Sequence, residues 1–260
     1  MTSPVPPLSL YWHVSENFGD RMAPWLVEKI TGQSPSFADP VAPAVPFLVT
    51  GSILGWSIRR GVVWGAGSAF ASDLDPSRMA PPSDVFRIVA TRGPLSMAKV
   101  REAGHAPVAF GDPGLLLPRF YTPKVELRAR VGILSSWIDV DDVRARFGDR
   151  FPVVSSLGTV ESIVDTICSW EVVVTNTLHG LVAAIAYGKP VVWASFSDKL
   201  VGDGFKFNDF FASLDTEPPV AFLCSSVSEQ WAIDASRSFA CDRVAERLWQ
   251  ACPLPKVVHA

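Results

Sequence analysis

Short apolar segments rich in β-branched residues recur along the chain, and segments with the spacing of amphipathic helices separate them. This alternation restricts the fold more than any other feature of the sequence. Because the apolar segments are nearly continuous, without a polar residue at every second position, they are typical of strands buried on both faces of a parallel sheet. The predicted strands cover residues 8–14, 46–50, 61–64, 85–90, 107–110, 131–135, 151–155, 171–175 and 190–194.

Helical segments are predicted between most of these strands. They cover residues 20–31, 94–103, 141–147, 160–170, 181–187 and about 228–251, and the last of them is long and amphipathic. Gly32 follows the first helix as a stop signal, and Pro94 opens the second at a position where proline is favoured. The alternation of strands and helices predicts an α/β fold with right-handed crossovers.

A polar segment that begins at Pro118 and contains Pro123 interrupts this rhythm and joins two similar series of strands and helices. We therefore predict two Rossmann-like domains, residues 1–118 and 131–260, connected by a linker at 119–130. Ligands of open α/β sheets bind beyond the carboxyl ends of the strands, so a site is expected in a central cleft between the facing domains. The C-terminal helix is predicted to pack back on the first domain.

The composition excludes several classes of protein. A hydrophobic fraction of 48% rules out a disordered chain, and 23 basic against 26 acidic residues argue against nucleic-acid binding while leaving room for a local basic pocket. The four cysteines form no CxxC pair, so we expect neither a zinc site nor a disulfide framework. The first ten residues lack the features of a secretory signal and no apolar run reaches about 18 residues, so a cytoplasmic location is expected.

Polar and glycine-rich turns follow two strands of the first predicted series. The sequence NFGD at 17–20 opens the first helix, where Asp20 can cap the helix and Gly19 lets a ligand approach the backbone. Helix capping alone is the alternative interpretation. The sequence GAGS at 65–68 places Gly67 and Ser68 at a strand end, where they suit an anionic or polyol group or simply form a tight turn.

Arg92 ends a predicted strand and precedes a helix, so its guanidinium can bind a carboxylate or phosphate there, or pair with a structural carboxylate. The sequence GDPG at 111–114 is predicted chiefly as a turn. His179 lies in TNTLHG at a strand-to-helix turn, a position that suits a hydrogen-bond donor or a proton shuttle. Lys199 follows the next strand and either points into the same cleft or is a solvated surface lysine.

Together these motifs resemble the polysaccharide pyruvyl transferase family. The resemblance rests on NFGD at 17–20, RGPLS at 92–96, GDPGLLL at 111–117, TLHGL at 177–181 with YGKP at 187–190, and KFNDF at 206–210. The motifs occur in the family's order over about residues 8–215, and TLHGL with YGKP is the most specific. The resemblance implies a two-domain fold similar to GT-B glycosyltransferases. It also implies transfer of the pyruvyl group of phosphoenolpyruvate to a sugar, commonly as a cyclic ketal with release of phosphate.

The resemblance further implies where the donor binds. The family's donor residues map onto Arg92, Leu178, His179 and Lys199, beside Thr177, where many relatives carry a basic residue. A second departure is the pair of serines at 135–136, where relatives often have proline and histidine. The donor side would then be the C-terminal domain and the acceptor side the N-terminal domain. Phosphoenolpyruvate would be the co-substrate, and no cofactor or metal is expected.

The predicted catalytic residues are His179, Asp20 and Arg92. His179 is predicted to bind the donor and act as the general acid, and Asp20 to act as the general base from the opposite domain. Further candidate cleft residues are Asn17, Gly19, Gly67, Ser68 and Lys206. Five of the nine tryptophans (Trp12, Trp56, Trp64, Trp137 and Trp193) lie near predicted cleft-facing strand ends, where they could stack on an acceptor sugar.

The expected acceptor is a glycan or a lipid-linked oligosaccharide, the latter with peripheral association of the protein at the membrane. Two other functions remain open on the sequence alone. One is a GT-B-like glycosyltransferase that uses a nucleotide sugar, although the C-terminal half shows no clear glutamate for the ribose hydroxyls. The other is a non-catalytic protein that binds a glycan or a metabolite.

Overall fold

The computed structural model describes residues 8–40, 43–55, 57–217, 219, 222–223 and 226–257. Within these residues the strands form two sheets, and every strand pairing is parallel. The first sheet has six strands in the order β2-β1-β3-β4-β5-β6. These are β1 (Ser9–Leu10), β2 (Ser36–Phe37), β3 (Phe47–Leu48), β4 (Gly61–Trp64), β5 (Phe86–Thr91) and β6 (Ala109–Phe110).

The second sheet has five strands in the order β11-β10-β9-β7-β8. These are β7 (Ala129–Ser135), β8 (Val153–Ser155), β9 (Trp170–Thr175), β10 (Val191–Ser195) and β11 (Phe222–Leu223). Buried β-branched residues dominate the central strand β9, whose last four residues are all buried. A strand of this kind needs cover on both faces of the sheet, and the helices supply it.

The described helices are α1 (Phe18–Thr31), α2 (Pro94–Glu102), α3 (Val140–Phe147), α4 (Val160–Cys168), α5 (Leu178–Ala186), α6 (Phe205–Ser213), α7 (Glu229–Ala235) and α8 (Asp242–Gln250), with 3₁₀ helices at Ala71–Leu74 and Pro113–Arg119. Side chains cap the N-termini of several of them. Asn17, Thr159, Thr177 and Ser228 each accept a backbone N–H of the following turn. Such a cap stabilises a helix by about 1 kcal/mol.

The prediction of an α/β fold with parallel sheets is confirmed. Each of the nine predicted strands overlaps an observed strand, and β4 has the predicted bounds. The helix predicted at 181–187 begins earlier, at Leu178, so that His179 lies within its first turn. Strands β2 and β11 were not predicted because two residues carry no periodic signal. The division into domains at 119–130 stays a prediction.

The prediction of one long C-terminal helix at about 228–251 is wrong. Helix α7 ends at Ala235 and α8 begins at Asp242. Between them the N–H and the C=O of Arg237 both bond to the backbone of Val191 at the start of β10, at 3.1 and 2.9 Å. Pairing with the sheet therefore takes this segment out of the helical conformation, although its amphipathic pattern continues.

The main hydrophobic core draws side chains from both sheets and from the helices between them. It includes the buried face of α1, the leucines of the 3₁₀ helix Pro113–Arg119, and the apolar residues of α4, α5 and α8. Each such buried side chain contributes about 1.5–3 kcal/mol relative to exposure. Helix α8 also packs against β6, and Trp64 Nε1 donates to the Leu248 carbonyl at 3.0 Å. The C-terminal helix thus contacts the first sheet.

The N-terminus of α1 is bound to the loop that follows β8. Phe18 N donates to the Ser156 carbonyl at 3.0 Å, and Gly158 N donates to the Glu16 carbonyl at 3.0 Å. The side chain of Asn17 donates to Ser156 Oγ at 3.3 Å while its oxygen caps α1. These bonds place the first turn of α1 beside the carboxyl ends of the strands in the second sheet.

Candidate functional site

A cavity of about 690 Å³ lies where the carboxyl ends of strands from both sheets meet. Segments that follow β1, β3, β7, β9 and β10 all contribute to its lining. The polar lining residues are Tyr11, His13, Asn17, Asp20, Ser52, Ser57, Asp73, Ser136, Asn176, Thr177, His179 and Lys206. This is the edge at which parallel sheets bind their ligands, and it is where the sequence predicts the site.

The turn between β9 and α5 carries the residues of TLHG. Thr177 caps the helix by accepting the Gly180 N–H at 3.0 Å, and its Oγ1 lies 3.0 Å from Thr175 Oγ1. Position 180 has to be glycine, because a Cβ there would lie 2.4 Å from Thr177 Oγ1 and 2.6 Å from Thr175 Oγ1. This close packing fixes His179 in the first turn of α5, with 13% of its side chain exposed to the cavity.

His179 faces a buried hydroxyl and a buried carboxylate across the two sheets. Its Nε2 lies 3.2 Å from Thr50 Oγ1 and 3.6 Å from Asp112 Oδ2. The Thr50 hydroxyl donates its hydrogen to Asp112 Oδ1 at 3.2 Å, so it accepts from His179 Nε2. That direction assigns the ring proton to Nε2 and leaves Nδ1 on the opposite edge of the ring.

Asp112 is fully buried after β6, and its second carboxylate oxygen is directed to the imidazole. Oδ1 accepts the Gly114 N–H at 2.9 Å, whereas Oδ2 has no hydrogen-bond partner among the described residues. Burial alone would raise the pKa of this carboxyl, but His179, the Gly114 N–H and Arg92 outweigh burial and hold the pKa below its usual value. The carboxylate is therefore charged and can stabilise a protonated His179.

The first turn of α1 packs on the other edge of the imidazole. A Cβ added to Gly19 would lie 2.2 Å from His179 Nδ1, so only glycine fits here. Gly19 was predicted to let a ligand approach the backbone, and the group that approaches it is His179. Asp20 lines the cavity one residue further along α1 and accepts from Ser15 Oγ at 2.6 Å.

Arg92 is fully buried behind the cavity and does not contribute to its described lining. Its guanidinium donates to the Ser68 carbonyl and, at 3.1 Å, to Ser52 Oγ, which does line the cavity. Arg92 Nε lies 3.8 Å from Asp209 Oδ2 on α6. The arginine therefore has the structural carboxylate that the sequence left open as its alternative partner.

Gly67 and Ser68 surround this arginine. A Cβ at Gly67 would lie 2.6 Å from Arg92 Cζ, so the glycine makes room for the guanidinium. Ser68 is also fully buried and donates to Asp73 Oδ2 at 2.8 Å. Both residues thus shape the wall of the cavity near Asp73 and are absent from the described lining.

The two predicted lysines have different surroundings. Lys199 Nζ bonds to Asp142 Oδ2 at 2.9 Å, with about half of each side chain or more exposed, and Lys199 is outside the described lining. Lys206 lines the cavity from the first turn of α6. The structure therefore brings together His179, Leu178, Thr177, Asn17, Asp20 and Lys206, but not Arg92 or Lys199.

Sequence reasoning missed Thr50 and the role of Asp112. The motif GDPG was predicted as a turn, and Asp112 does cap the 3₁₀ helix Pro113–Arg119. Its position after β6, at the same sheet edge as the other candidates, was the available signal. A second missed group is Asp139, which is buried and bonds to Asn176 Nδ2 at 2.7 Å and to Ser197 Oγ at 2.6 Å. This network holds together the turns that follow β9 and β10.

The tryptophans near the strand ends have several roles. Trp64 is buried, Trp193 stacks on Phe207 with ring centroids 4.4 Å apart, and Trp12 contacts Phe37 edge to face. Trp137 follows β7, lines the cavity and is 55% exposed, so of these four described tryptophans it is the one that presents an exposed ring to the cavity. Trp56 lies outside the described residues.

In the described ranges, no group of three or more His, Cys, Asp and Glu side chains is arranged to bind a metal ion. None of the helices in the part of the chain that the structure describes is both long and apolar enough to cross a membrane.

Comparisons with known proteins identify the family. The model of the polysaccharide pyruvyl transferase family matches residues 62–198, which is more than half of the chain and includes Arg92, Asp112 and His179. The chain is 27% identical to the succinoglycan biosynthesis protein ExoV of Rhizobium meliloti over 219 residues, covering 78% of this chain and 64% of ExoV. It is 24% identical to an uncharacterized protein, L143, of Acanthamoeba polyphaga mimivirus over 217 residues, covering 80% of this chain and 74% of that protein. No solved structure matches. The chain belongs to the polysaccharide pyruvyl transferase family.

Proposed function

We propose that this protein transfers the pyruvyl group of phosphoenolpyruvate to two hydroxyls of a glycan or glycan precursor, forming a cyclic ketal and releasing phosphate. Membership of the family supports pyruvyl transfer to a glycan. ExoV, by its name, takes part in making a polysaccharide, which supports an acceptor of the same class. The observation that carries the proposal is His179, held at the cavity by Thr50 and the buried Asp112.

The first turn of α5 suits the anionic donor. A helix N-terminus carries partial positive charge and free N–H groups, which favour a phosphate or carboxylate. Thr177 and Leu178 line the cavity there, and Thr177 satisfies one N–H group. When His179 is protonated, it adds its positive charge to the partial positive charge of the helix N-terminus, and Asp112 can balance the charge of the ring.

The reaction requires one proton donor and a proton acceptor for each hydroxyl. Protonation of the donor's methylene carbon turns it into a methyl group and leaves positive charge at C2. The first sugar hydroxyl forms a C–O bond at C2 and loses its proton, and the bond from C2 to the phosphate oxygen then breaks. The second hydroxyl attacks C2, loses its proton and closes the ketal, and the released phosphate keeps one of the two hydroxyl protons. Correctly placed acid and base groups contribute typically 10²–10⁴-fold each.

We assign the acid to His179 and the base to Asp20. His179 is partly exposed to the cavity, and Asp112 can balance its charge while the ring gives up and regains a proton. Asp20 lines the same cavity from the first turn of α1, the helix that follows β1 in the chain. This division agrees with a GT-B-like arrangement, in which residues 1–118 bind the acceptor, residues 131–260 bind the donor, and the cavity is the cleft between them.

Mass spectrometry tests this function. The protein is incubated with phosphoenolpyruvate and a panel of glycosides, including lipid-linked ones, and the products are searched for a pyruvyl ketal while phosphate release is measured. The expected result is a ketal on at least one glycoside with one phosphate released per ketal, and loss of both in His179→Ala. Full turnover in Asp20→Asn would show that another residue is the base. Thermal stabilisation by nucleotide sugars, and none by phosphoenolpyruvate, would contradict the proposal.

A further inference from the structure

We propose that Lys206, and not Lys199, is the lysine that binds the anionic donor in this protein. The inference rests on the proposed function, because it concerns how the same cavity binds phosphoenolpyruvate. Spacing from TLHGL places the donor lysine at Lys199, about twenty residues further along the chain. The structure instead brings the side chain of Lys206 into the cavity lining.

Lys206 is the one lysine or arginine among the described residues that line the cavity. The same lining contains two carboxylates, Asp20 and Asp73, so the cavity is not basic by residue count. A donor that carries both a phosphate and a carboxylate needs compensating positive charge. At this cavity the charge comes from Lys206, from His179 when it is protonated, and from the N-terminus of α5.

The ammonium group of Lys206 has bonding capacity left for a ligand. Its Nζ donates to the Val201 carbonyl at 2.8 Å, and an ammonium group has three N–H donors. In the described part of the chain no carboxylate lies within ion-pair distance of this Nζ. Burial, followed by the charge of nearby Arg92, lowers the pKa of Lys206. A bound anion would supply Lys206 with the negative partner that it lacks among the described residues.

Lys206 lies near the N-terminus of α6, where Asp203, just outside the helix, accepts the Phe205 N–H through Oδ1 at 3.0 Å. Lys206 lies in the first turn of α6, and that turn contains no acidic residue. A cation there is repelled by the positive end of the helix dipole. The lysine and the helix N-terminus would both attract the same anion. Arg92, which is bonded to the cavity residue Ser52, adds positive potential from behind the wall.

Lys199 lacks these properties. It is outside the described lining and its charge is already paired with Asp142 on α3, which also raises the pKa of the lysine. Binding the donor through Lys199 would require that pair to break. Six residues separate the two lysines, and they include the whole segment 200–204 that leads into α6.

Calorimetric titration with phosphoenolpyruvate tests the assignment. The variants are Lys206→Gln, Lys206→Arg, Lys199→Gln and, as a matched control, Lys29→Gln on the exposed face of α1, each checked for an unchanged melting temperature. We expect Lys206→Gln to weaken binding about 10- to 100-fold, as for loss of a charge-assisted hydrogen bond. Lys206→Arg should keep most of the affinity, and both Lys199→Gln and Lys29→Gln should stay within about twofold of the unaltered protein.

The outcomes separate this inference from the proposed function. If the unaltered protein binds phosphoenolpyruvate and Lys206→Gln binds it equally well, or Lys199→Gln loses the affinity, the assignment of Lys206 is wrong while the proposed function stands. If the unaltered protein does not bind phosphoenolpyruvate, the proposed function fails and this inference fails with it. A titration with inorganic phosphate, repeated on Lys206→Gln, shows whether the lysine contacts the phosphate or the carboxylate end of the donor.

Discussion

The buried carboxylate of Asp112 gives His179 its orientation and its charge balance, so its loss should affect turnover more than donor binding. We expect Asp112→Asn to lower kcat by about 10²-fold or more with little change in the KM for phosphoenolpyruvate, because the amide keeps the bonds to Thr50 and Gly114 but has no charge to balance an imidazolium. Phosphate release at varied donor concentration measures both constants. Asp141→Asn, at an exposed ion pair, is the control. A raised KM with unchanged kcat would show that Asp112 acts on binding instead.

Single residues of the site were predictable where local sequence decides their position. His179 could be identified because a strand-to-helix turn places it at the sheet edge regardless of the rest of the fold. The pairing of His179 with Asp112 could not be predicted, because it joins a turn of the first sheet to a helix of the second and depends on how the sheets pack. Arg92 directly follows β5, one residue beyond the strand end at Thr91, but its burial against Ser52 and Asp209 comes from contacts distant in sequence.

At the scale of elements, the N-terminal caps of α4 and α5 are alike in chemistry and differ in location. Thr159 accepts the Ser162 N–H at 3.1 Å and Thr177 accepts the Gly180 N–H at 3.0 Å. Only the second cap holds the turn that carries His179 at the cavity. The first belongs to a helix whose start is exposed away from the described lining.

Replacing either threonine by alanine should therefore lower the stability by a similar amount. Only the replacement of Thr177 should also lower the activity. We expect Thr159→Ala and Thr177→Ala each to lower the free energy of unfolding by about 1 kcal/mol, measured by urea denaturation. Thr177→Ala alone should also lower phosphate release, and Thr177→Ser should restore it because serine keeps the cap. Equal activity losses in both alanine variants would mean that stability, and not the position of His179, limits turnover.

The elements that sequence did not predict share a physical cause. Strands β2 and β11 each have two residues, and they are held by pairing with β1 and β10 rather than by their own pattern. Helix α6 contains four phenylalanines and few of the strongest helix formers, and it forms because these rings pack into the core. The break between α7 and α8 is likewise decided by pairing of Arg237 with β10.

At the scale of the whole molecule, the residues before and after the predicted linker at 119–130 pack into a common hydrophobic core. The main hydrophobic core contains residues of both halves, and the segment after the 3₁₀ helix Pro113–Arg119 takes part through Phe120 and Tyr121. Tyr121 also donates to Asp165 on α4 at 2.8 Å. The sequence predicted most of the strands and helices in each series. It gave no information on this common core, since contacts between the halves have no local pattern.

The buried pair of Arg92 and Asp209 is the most sensitive of the contacts between the halves. Asp209, on α6 beyond the second sheet, accepts from the backbone and hydroxyl of Ser96 at 2.9 and 2.6 Å and faces Arg92 in the first half. We expect Asp209→Ala to lower the free energy of unfolding by about 3–5 kcal/mol, because Arg92 is left buried without its carboxylate. Asp142→Ala, which removes the exposed partner of Lys199, should leave stability nearly unchanged.

The same substitution reports on how the halves are coupled. Because both halves lose contacts in Asp209→Ala, calorimetry should show one unfolding transition that moves to lower temperature without splitting, and tryptophan fluorescence and circular dichroism should follow it together. Separate transitions for the two halves, with only one of them shifted, would mean that each sheet is stable alone and that the shared core contributes little. One joint transition means that the cavity residues contributed by the two sheets are held in place by the same cooperative unit. In that case, a change far from the cavity that loosens the core should also lower the affinity for the donor.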